Sequence, residues 1–254
     1  IQKSNDRECR QQQRCRRLFQ FDNGCLEFFR DRKPKFYHCL NDPTPIDIAC
    51  IYHQGIEVDP SILSYMHWQN IRTKHMDDIM QAQYLDYQVT SWFLAMLGRH
   101  LFNIEDRWEY WLSVIGTART GKSSLCAILR KMYDIADVGI LSSTFEETFG
   151  MGAILKQKPF IVVGPDATGM KIPAAIILCM ASGEPVSLPI KFQDPFIDKN
   201  PNCPCSTWGN EALDVIGRGD NITRRMFVIM MPYTVDAKNV IAGLDQYMMK
   251  NLPA

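Results

Sequence analysis

The residues with the clearest capacity for chemistry lie in the run GTARTGKS, at positions 116 to 123. Gly116, Gly121, Lys122 and Ser123 have the spacing of a phosphate-binding loop, in which backbone amides surround phosphate oxygens. In such a loop the lysine reaches the terminal phosphates of a nucleoside triphosphate, and the serine hydroxyl is a ligand of Mg²⁺. The sequence therefore predicts a nucleotide site that also includes Thr117, Ala118, Arg119, Thr120 and Ser124.

The segments on either side of this run have the patterns that such a loop requires. The apolar residues of 111–115 predict a buried strand before it, and apolar residues at helical spacing across 125–132 predict a helix after it. We therefore expect the order strand, glycine-rich loop, helix, which supports nucleotide binding over a chance match.

An acidic residue follows a second apolar run. Residues 160–163 predict a central parallel strand, and Asp166 comes after the Gly164-Pro165 pair that ends it. An acid at this place beside a phosphate-binding loop can hold the hydration shell of Mg²⁺ or polarise an attacking water. The alternative is that Asp166 only starts a turn.

Two more polar positions stand next to predicted strands. Asn210 follows the short apolar segment 205–208, where an amide can orient water or contact the γ-phosphate, although Asn after Gly is also ordinary in turns. Arg224 and Arg225 precede the apolar run 226–231. Adjacent arginines are usually a solvated edge, but phosphoryl transfer also needs a cation in addition to the loop lysine.

The rest of the chain divides by pattern into three regions. Short apolar patches and turn residues predict a small β-rich region within residues 1–60, and apolar residues at three- and four-residue steps predict helices within 61–108. We assign residues 109–254 to an α/β nucleotide-binding domain with a central parallel sheet. Within it, 172–181 predicts a buried helix with Pro173 in its first turn, and Gly183 to Phe192 an irregular or hairpin segment.

Composition limits the classes of function. The 254 residues carry 28 basic and 28 acidic side chains, so the chain has no overall positive charge that would indicate nucleic-acid binding. Any contact with nucleic acid must therefore be local. The basic residues of 1–17 are expected to form a solvated surface rather than a nucleic-acid arm. No apolar run reaches the length of a membrane span, and no signal peptide is visible, so we expect a soluble intracellular protein with reduced cysteines. The sequence begins at Ile1, and we expect it to be part of a longer protein.

The order of loop, acid, Asn and paired arginines resembles the superfamily III helicase domain of the viral primase-helicase type, found in large DNA viruses and related phages and plasmids. The stretches FQFDNGCL at 19–26 and FLAMLGRHLF at 93–102 resemble segments upstream of the phosphate-binding loop in those proteins. The resemblance implies an AAA+-like core, ATP and Mg²⁺ as cofactors, and hydrolysis of ATP by a DNA helicase that acts in replication. It also implies a ring, expected to be a hexamer, a primase domain in the same longer polypeptide, and a viral protein located in the host cytoplasm, nucleus or virus factory.

The resemblance assigns roles to individual residues. Lys122 would bind phosphate, Ser123 and Asp166 would bind Mg²⁺, and Asn210 would be the polar sensor. Arg224 or Arg225 would be an arginine finger that acts on the nucleotide of a neighbouring subunit. The stretch ASGEPVSLPIKF at 181–192 is similar to a family segment with a hairpin in the central channel, which makes Lys191 and Phe192 candidate contacts to single-stranded DNA.

Two departures from the family keep alternatives open. Many relatives have two adjacent acids where Asp166 stands alone, so Glu147 or Glu184 is a candidate second carboxylate. Arg119 and Thr120 also occupy loop positions that are often small residues or Asn. The alternatives to the helicase are a scaffold that binds nucleotide without hydrolysing it, and another enzyme with the same loop, such as a small-molecule kinase.

Overall fold

A five-stranded parallel sheet lies at the centre of the protein. The computed structural model describes residues 17–29, 32–38, 51–52, 55–64, 74–102, 108–142, 149–199, 201, 203–217 and 220–236. In spatial order the strands are Met226–Met230 (β13), Trp111–Ile115 (β5), Cys205–Gly209 (β11), Ile161–Gly164 (β7) and Val138–Ile140 (β6). The strand before the glycine-rich loop is therefore flanked by β13 and β11.

Helices cover both faces of this sheet. Leu112 and Val114 of β5 pack into one apolar cluster, and Trp111 packs into another, as expected for a strand whose alternate side chains point to opposite faces. Because both faces are covered, β5, β7 and β11 are buried along nearly their whole length. In the described part of the chain after β5, the helices are Lys122–Lys131 (α3), Gly150–Leu155 (α4), Ala174–Ser182 (α5) and Asp220–Thr223 (α6), with a 3₁₀ turn at Ile135–Asp137.

A small four-stranded sheet and two longer helices precede the central sheet. The strands Leu18–Phe21 (β1), Gly24–Glu27 (β2), Lys35–His38 (β3) and Ile51–Tyr52 (β4) are arranged in the order β3-β2-β1-β4. A 3₁₀ turn at Pro60–Ser64 and the helices Lys74–Ala82 (α1) and Tyr87–Phe102 (α2) follow. Side chains of α1 and α2 pack in the same apolar cluster as β5 and α3, so this part of the chain shares a core with the central sheet.

Two further strand pairs lie outside the central sheet. Lys171–Pro173 (β8) pairs in parallel with Asp214–Ile216 (β12), while Val186–Ile190 (β9) and Gln193–Asp198 (β10) form an antiparallel hairpin. Gly152 of α4 approaches β9 closely, since a Cβ there would lie 2.5 Å from the carbonyl oxygen of Pro189. The hairpin is thus packed on α4.

The predicted fold class is confirmed. The chain is α/β with a central parallel sheet, and a β-rich and helical segment precedes it. One boundary was wrong, because the helix predicted from residue 172 begins at Ala174. Residues 171–173 instead pair with β12, a tertiary contact that local apolar periodicity does not encode. Among the described helices, none combines the length and the apolar character needed to cross a bilayer.

Candidate nucleotide site

The glycine loop, residues 116–123, joins the carboxyl end of β5 to the first turn of α3. Gly121 has φ 94°, a left-handed conformation that glycine adopts without strain, and Ile79 of α1 approaches it closely. Gly116 is required for a different reason, because its backbone packs directly against Met231. The first backbone amides of a helix have no acceptor within the helix, so the start of α3 is a place where an anion can bind.

Lys122 is folded onto the glycine loop. Its Nζ donates hydrogen bonds to the carbonyl oxygens of Gly116 at 2.7 Å and Thr117 at 2.5 Å, and to Oγ1 of Thr120 at 3.0 Å. The residue is only 7% exposed, and this burial lowers the pKa of its ammonium group. A partly desolvated cation at the loop is well suited to bind phosphate, whose charge would offset the cost of burying the ammonium.

The loop, Asp166 and Asn210 line one cavity of about 730 Å³. Since β5, β11 and β7 are parallel neighbours, their carboxyl ends meet at one edge of the sheet. Asp166 follows β7 and Asn210 follows β11, which places both beside the loop after β5. The residues of the loop and of the first turn of α3 that line the cavity are Ala118, Arg119, Thr120, Gly121, Lys122, Ser123 and Ser124. Gly116 and Thr117, also predicted to bind nucleotide, are not among them, but their carbonyl groups hold Lys122.

Asp166 belongs to a turn and to the cavity at the same time. Its Oδ1 accepts a hydrogen bond from the backbone amide of Thr168 at 3.2 Å, which is the turn geometry of the alternative interpretation. The residue is nevertheless exposed and borders the cavity. Of the two other acids considered, Glu184 is not among the residues that line the cavity, and Glu147 lies outside the described residues.

Helix α1 and the segment after β13 supply walls that the sequence did not predict. Asp78, Ile79 and Ala82 line the cavity from α1, and Val235 lines it from residues 231–235. The amide of Val235 donates to the carbonyl oxygen of Arg119 at 2.9 Å, so this segment is bonded to the loop. No sequence motif marks these residues, because their place depends on packing between distant parts of the chain.

Arg224 and Arg225 lie at the opposite end of the sheet. They precede β13, and its parallel register with β5 puts Met226 beside Trp111, at the end of β5 remote from the loop. Arg225 forms an ion pair with Glu109, and its carbonyl oxygen accepts from the amide of Trp111 at 2.7 Å. Neither arginine lines the cavity of its own chain.

Lys191 and Phe192 form the tip of the β9–β10 hairpin. Ile190 pairs with Gln193, so these two residues are the whole turn. Phe192 has φ 57° and is 95% exposed, and Nζ of Lys191 lies 5.7 Å from the centre of its ring. An aromatic ring exposed beside a cation is a surface on which a nucleic-acid base can stack.

Some predictions fall on residues outside the described part of the chain. These are residues 1–16 of the basic segment and Glu147, the candidate second carboxylate. The cysteines that the structure describes, Cys25, Cys126, Cys179, Cys203 and Cys205, take no part in a disulfide bond.

Comparison with known proteins gives a likeness of fold. No protein-family model and no curated protein matches the sequence. Two apo structures of the NrS-1 C-terminal region superpose with TM-scores of 0.53 and 0.52, at 12% and 14% identity. Each alignment covers 92% of this chain but only 63% of the other, so this chain spans less than two thirds of those structures.

A structure of JCV helicase bound to a substituted acetamide aligns with 70% of this chain and 51% of its own, at 13% identity and a TM-score of 0.42. That superposition is too loose to support an argument. At these identities the NrS-1 matches establish a shared fold and nothing about activity.

Proposed function

We propose that this chain is the ATPase motor of a ring-forming helicase that translocates on single-stranded DNA. The observation that carries the proposal is that the glycine loop, Asp166 and Asn210 line a single cavity. Lys122 and Asp166 are 44 residues apart along the sequence, and Asp166 and Asn210 are also 44 residues apart. An accidental glycine loop would not be expected to share a cavity with both polar positions that the helicase resemblance singles out.

The cavity has suitable donors for Mg²⁺ and the triphosphate. The hydroxyl of Ser123 and the carboxylate of Asp166 are oxygen ligands of the kind that Mg²⁺ prefers, and both residues line the cavity. Mg²⁺ bound with ATP would neutralise charge on the β- and γ-phosphates. Lys122 and the amides of residues 118–124 would hold the phosphate oxygens.

Asp166 and Asn210 would prepare the attacking water. The Asp166 carboxylate can accept a proton from water while its other oxygen stays bonded to the amide of Thr168. The Asn210 amide can orient the same water or contact the γ-phosphate. In this arrangement the Asp166 carboxylate would both bind Mg²⁺ and accept the proton of water, whereas many superfamily III helicases have two adjacent acids at this position.

A second cation would come from a neighbouring subunit. Strand β13 is five residues long, so the arginines before it lie about 16 Å from the end of the sheet that carries the glycine loop. That distance is beyond the reach of an arginine side chain in the same subunit. In a ring, however, the arginine end of one subunit can face the cavity of the next, so we include a homo-oligomer, expected to be a hexamer, in the proposal.

The two arginines are not equivalent. Arg225 is half-buried, is paired with Glu109 and is bonded to β5 through its backbone. Arg224 is exposed, and its guanidinium donates to Asn221 of the same turn at 3.0 Å. Since a local bond at an exposed site is easily exchanged, we assign the role of arginine finger to Arg224 and that of an anchor for β13 to Arg225.

The test is ATP hydrolysis measured with and without single-stranded DNA. Stimulation by DNA supports the motor, and Asp166→Asn should lower the hydrolysis rate by about 10²–10⁴-fold without abolishing ATP binding. Glu184→Gln is the matched control, since Glu184 is exposed and does not line the cavity. ATP binding without any hydrolysis would replace the motor with the nucleotide-binding scaffold, and turnover that depends on a small-molecule acceptor would replace it with a kinase.

A further inference from the structure

Gln83 is a buried polar residue that joins three separate segments. It follows the last turn of α1, and its side chain is 1% exposed. Nε2 donates to the carbonyl oxygen of Thr120 at 3.2 Å and to that of Tyr233 at 2.8 Å, while Oε1 accepts from the amide of Tyr233 at 3.1 Å. One carboxamide therefore connects α1, the glycine loop and the segment after β13.

The chemistry of these partners determines the orientation of the carboxamide. Two of the three groups are carbonyl oxygens, which only the NH₂ group can satisfy, and the third is an amide donor, which only Oε1 can accept. The reverse orientation would place Oε1 against two carbonyl oxygens and leave the amide of Tyr233 without this acceptor. A carboxamide fits this site better than a carboxylate or an apolar side chain.

The same three segments form the walls of the cavity. Ile79 and Ala82 contribute from α1, and Val235 contributes from the segment after β13. That segment is bonded to the loop at other points as well, since Thr234 Oγ1 donates to the carbonyl oxygen of Ala118 at 3.2 Å. Gln83 adds hydrogen bonds from both of these segments to the end of α1, where Ile79 also packs on Gly121 of the loop.

We propose that Gln83 is a positioning residue for nucleotide binding, which holds the α1 wall of the cavity against the glycine loop and the segment 231–235. It does not line the cavity itself, so it acts through Thr120 and Tyr233 rather than by contact with the nucleotide. The inference rests on the proposed nucleotide site. It adds that the affinity for nucleotide depends on a residue far from any motif.

Substitutions at Gln83 should weaken binding more than they slow chemistry. Gln83→Glu keeps the shape of the side chain but presents a carboxylate to the carbonyl oxygens of Thr120 and Tyr233, and Gln83→Met removes the polar atoms. We expect each to raise the Kd for a fluorescent ATP analogue with Mg²⁺ about tenfold or more, because buried groups lose their partners. KM for ATP should rise in parallel while kcat stays within about twofold. Gln81→Glu is the matched control, since Gln81 is exposed on α1 two residues earlier.

Gln83→Glu also has a pH signature. The introduced carboxyl is buried, so its protonated form is favoured, and that form regains one donor and one acceptor. The affinity of this variant for the ATP analogue should therefore recover as the pH falls from 8 towards 5.5 relative to wild type and Gln81→Glu. The other ionisable residues of the segments that meet there are shared by the variant and its control: Lys74, His75, Asp77 and Asp78 of α1, Tyr84 after it, Arg119 and Lys122 of the glycine loop, and Tyr233.

Several results would overturn the inference. An unchanged Kd in both Gln83→Glu and Gln83→Met would overturn it. Loss of folded protein in both variants, judged by tryptophan fluorescence, would also overturn it, because Gln83 would then support the whole fold rather than the site. A wild-type chain that binds the analogue no better than Lys122→Ala would instead refute the proposed function. Binding by wild type with unaltered Gln83 variants would refute only the role of Gln83.

Discussion

Gly116 lies so close to Met231 that a Cβ built on Gly116 would be 2.0 Å from the carbonyl oxygen of Met231. The two residues are also joined through the strand end, where the amide of Met231 donates to the carbonyl oxygen of Ile115 at 2.7 Å. The first glycine of the motif is therefore needed for the packing of β13 against β5, quite apart from any contact with phosphate.

Gly116→Ala should destabilise the fold as well as weaken nucleotide binding. The obstacle is backbone rather than a flexible side chain, so β13 must shift, and we expect a loss of about 1–3 kcal/mol or more in the free energy of unfolding. Urea denaturation measures it. Gly98→Ala in α2 is the control, because nothing lies within 4 Å of a Cβ there, and it should be neutral or stabilising by up to about 1 kcal/mol. Equal stability of the two variants would show that the backbone at Met231 can move away at little cost in free energy.

The pKa of Lys122 predicts opposite effects of alkaline pH on stability and binding. Burial lowers the pKa in the folded chain, so between the folded and unfolded pKa values the unfolded chain binds more protons. The free energy of unfolding of the nucleotide-free chain should therefore increase as the pH rises from the folded pKa to the unfolded pKa of Lys122. Affinity for ATP should fall over the same interval, because the charged donor is lost.

Lys122→Met separates this effect from other groups that titrate in alkaline solution. Urea titrations and ATP-binding titrations of wild type and variant, at pH values up to the ordinary lysine range, give difference curves that isolate Lys122. Parallel curves for the two proteins would show that Lys122 does not titrate below that range.

Cys126 should resist alkylation in the native protein. It lies on the buried face of α3 with 2% exposure, and burial raises the pKa of its thiol to about 12. At pH 8 only on the order of 10⁻⁴ of it would be thiolate, which is the reactive form. Cys179 is half-buried, so peptide mass spectrometry after maleimide treatment should find it modified first among the described cysteines. Rapid native labelling of Cys126 would mean that α3 opens readily.

Strands β5, β7, β11 and β13 of the central sheet could be predicted from short runs of strand-forming residues, and the first three of these runs end at a glycine. Asp166 and Asn210 could be placed next to the loop for the same reason, since parallel strands carry their carboxyl ends to one edge. Gln83 and Val235 could not be found in this way. Gln83 is bonded to Tyr233, 150 residues away, and Val235 is bonded to Arg119 of the glycine loop. Neither residue type nor spacing indicates such long-range contacts. The pairing of β8 with β12 was missed for the same reason.

The arginine assignment predicts different effects for adjacent substitutions. Arg224→Ala should lower ATP hydrolysis by about 10³-fold or more with little change in stability, because an exposed side chain is lost and a transition-state cation is removed. Arg225→Ala and Glu109→Gln should instead lower the free energy of unfolding, since each breaks the ion pair that holds the start of β13.

A mixing experiment checks that Arg224 acts between subunits. Arg224→Ala subunits keep an intact cavity and Lys122→Ala subunits keep an intact arginine, so a mixture of the two inactive proteins should regain part of the hydrolysis rate. No recovery in mixed oligomers, together with an inactive Arg225→Ala protein of normal stability, would reverse the assignment.

The tip of the β9–β10 hairpin predicts separate contributions from stacking and from charge. Phe192→Ala should weaken binding of a single-stranded oligonucleotide by about 1–3 kcal/mol, the range for one base stacked on an aromatic ring. Lys191→Gln should weaken binding, and its effect should be smaller at high salt than at low salt. It should also lower the slope of log affinity against log salt by about one unit, as for one lost phosphate contact. Fluorescence anisotropy at several salt concentrations measures both effects.

Ile197→Ala is the control, because Ile197 is an exposed apolar residue of the same hairpin away from its tip. If Ile197→Ala and Phe192→Ala had equal effects, the hairpin would contribute general apolar surface rather than a stacking platform, and the DNA contact would have to be sought elsewhere on the chain.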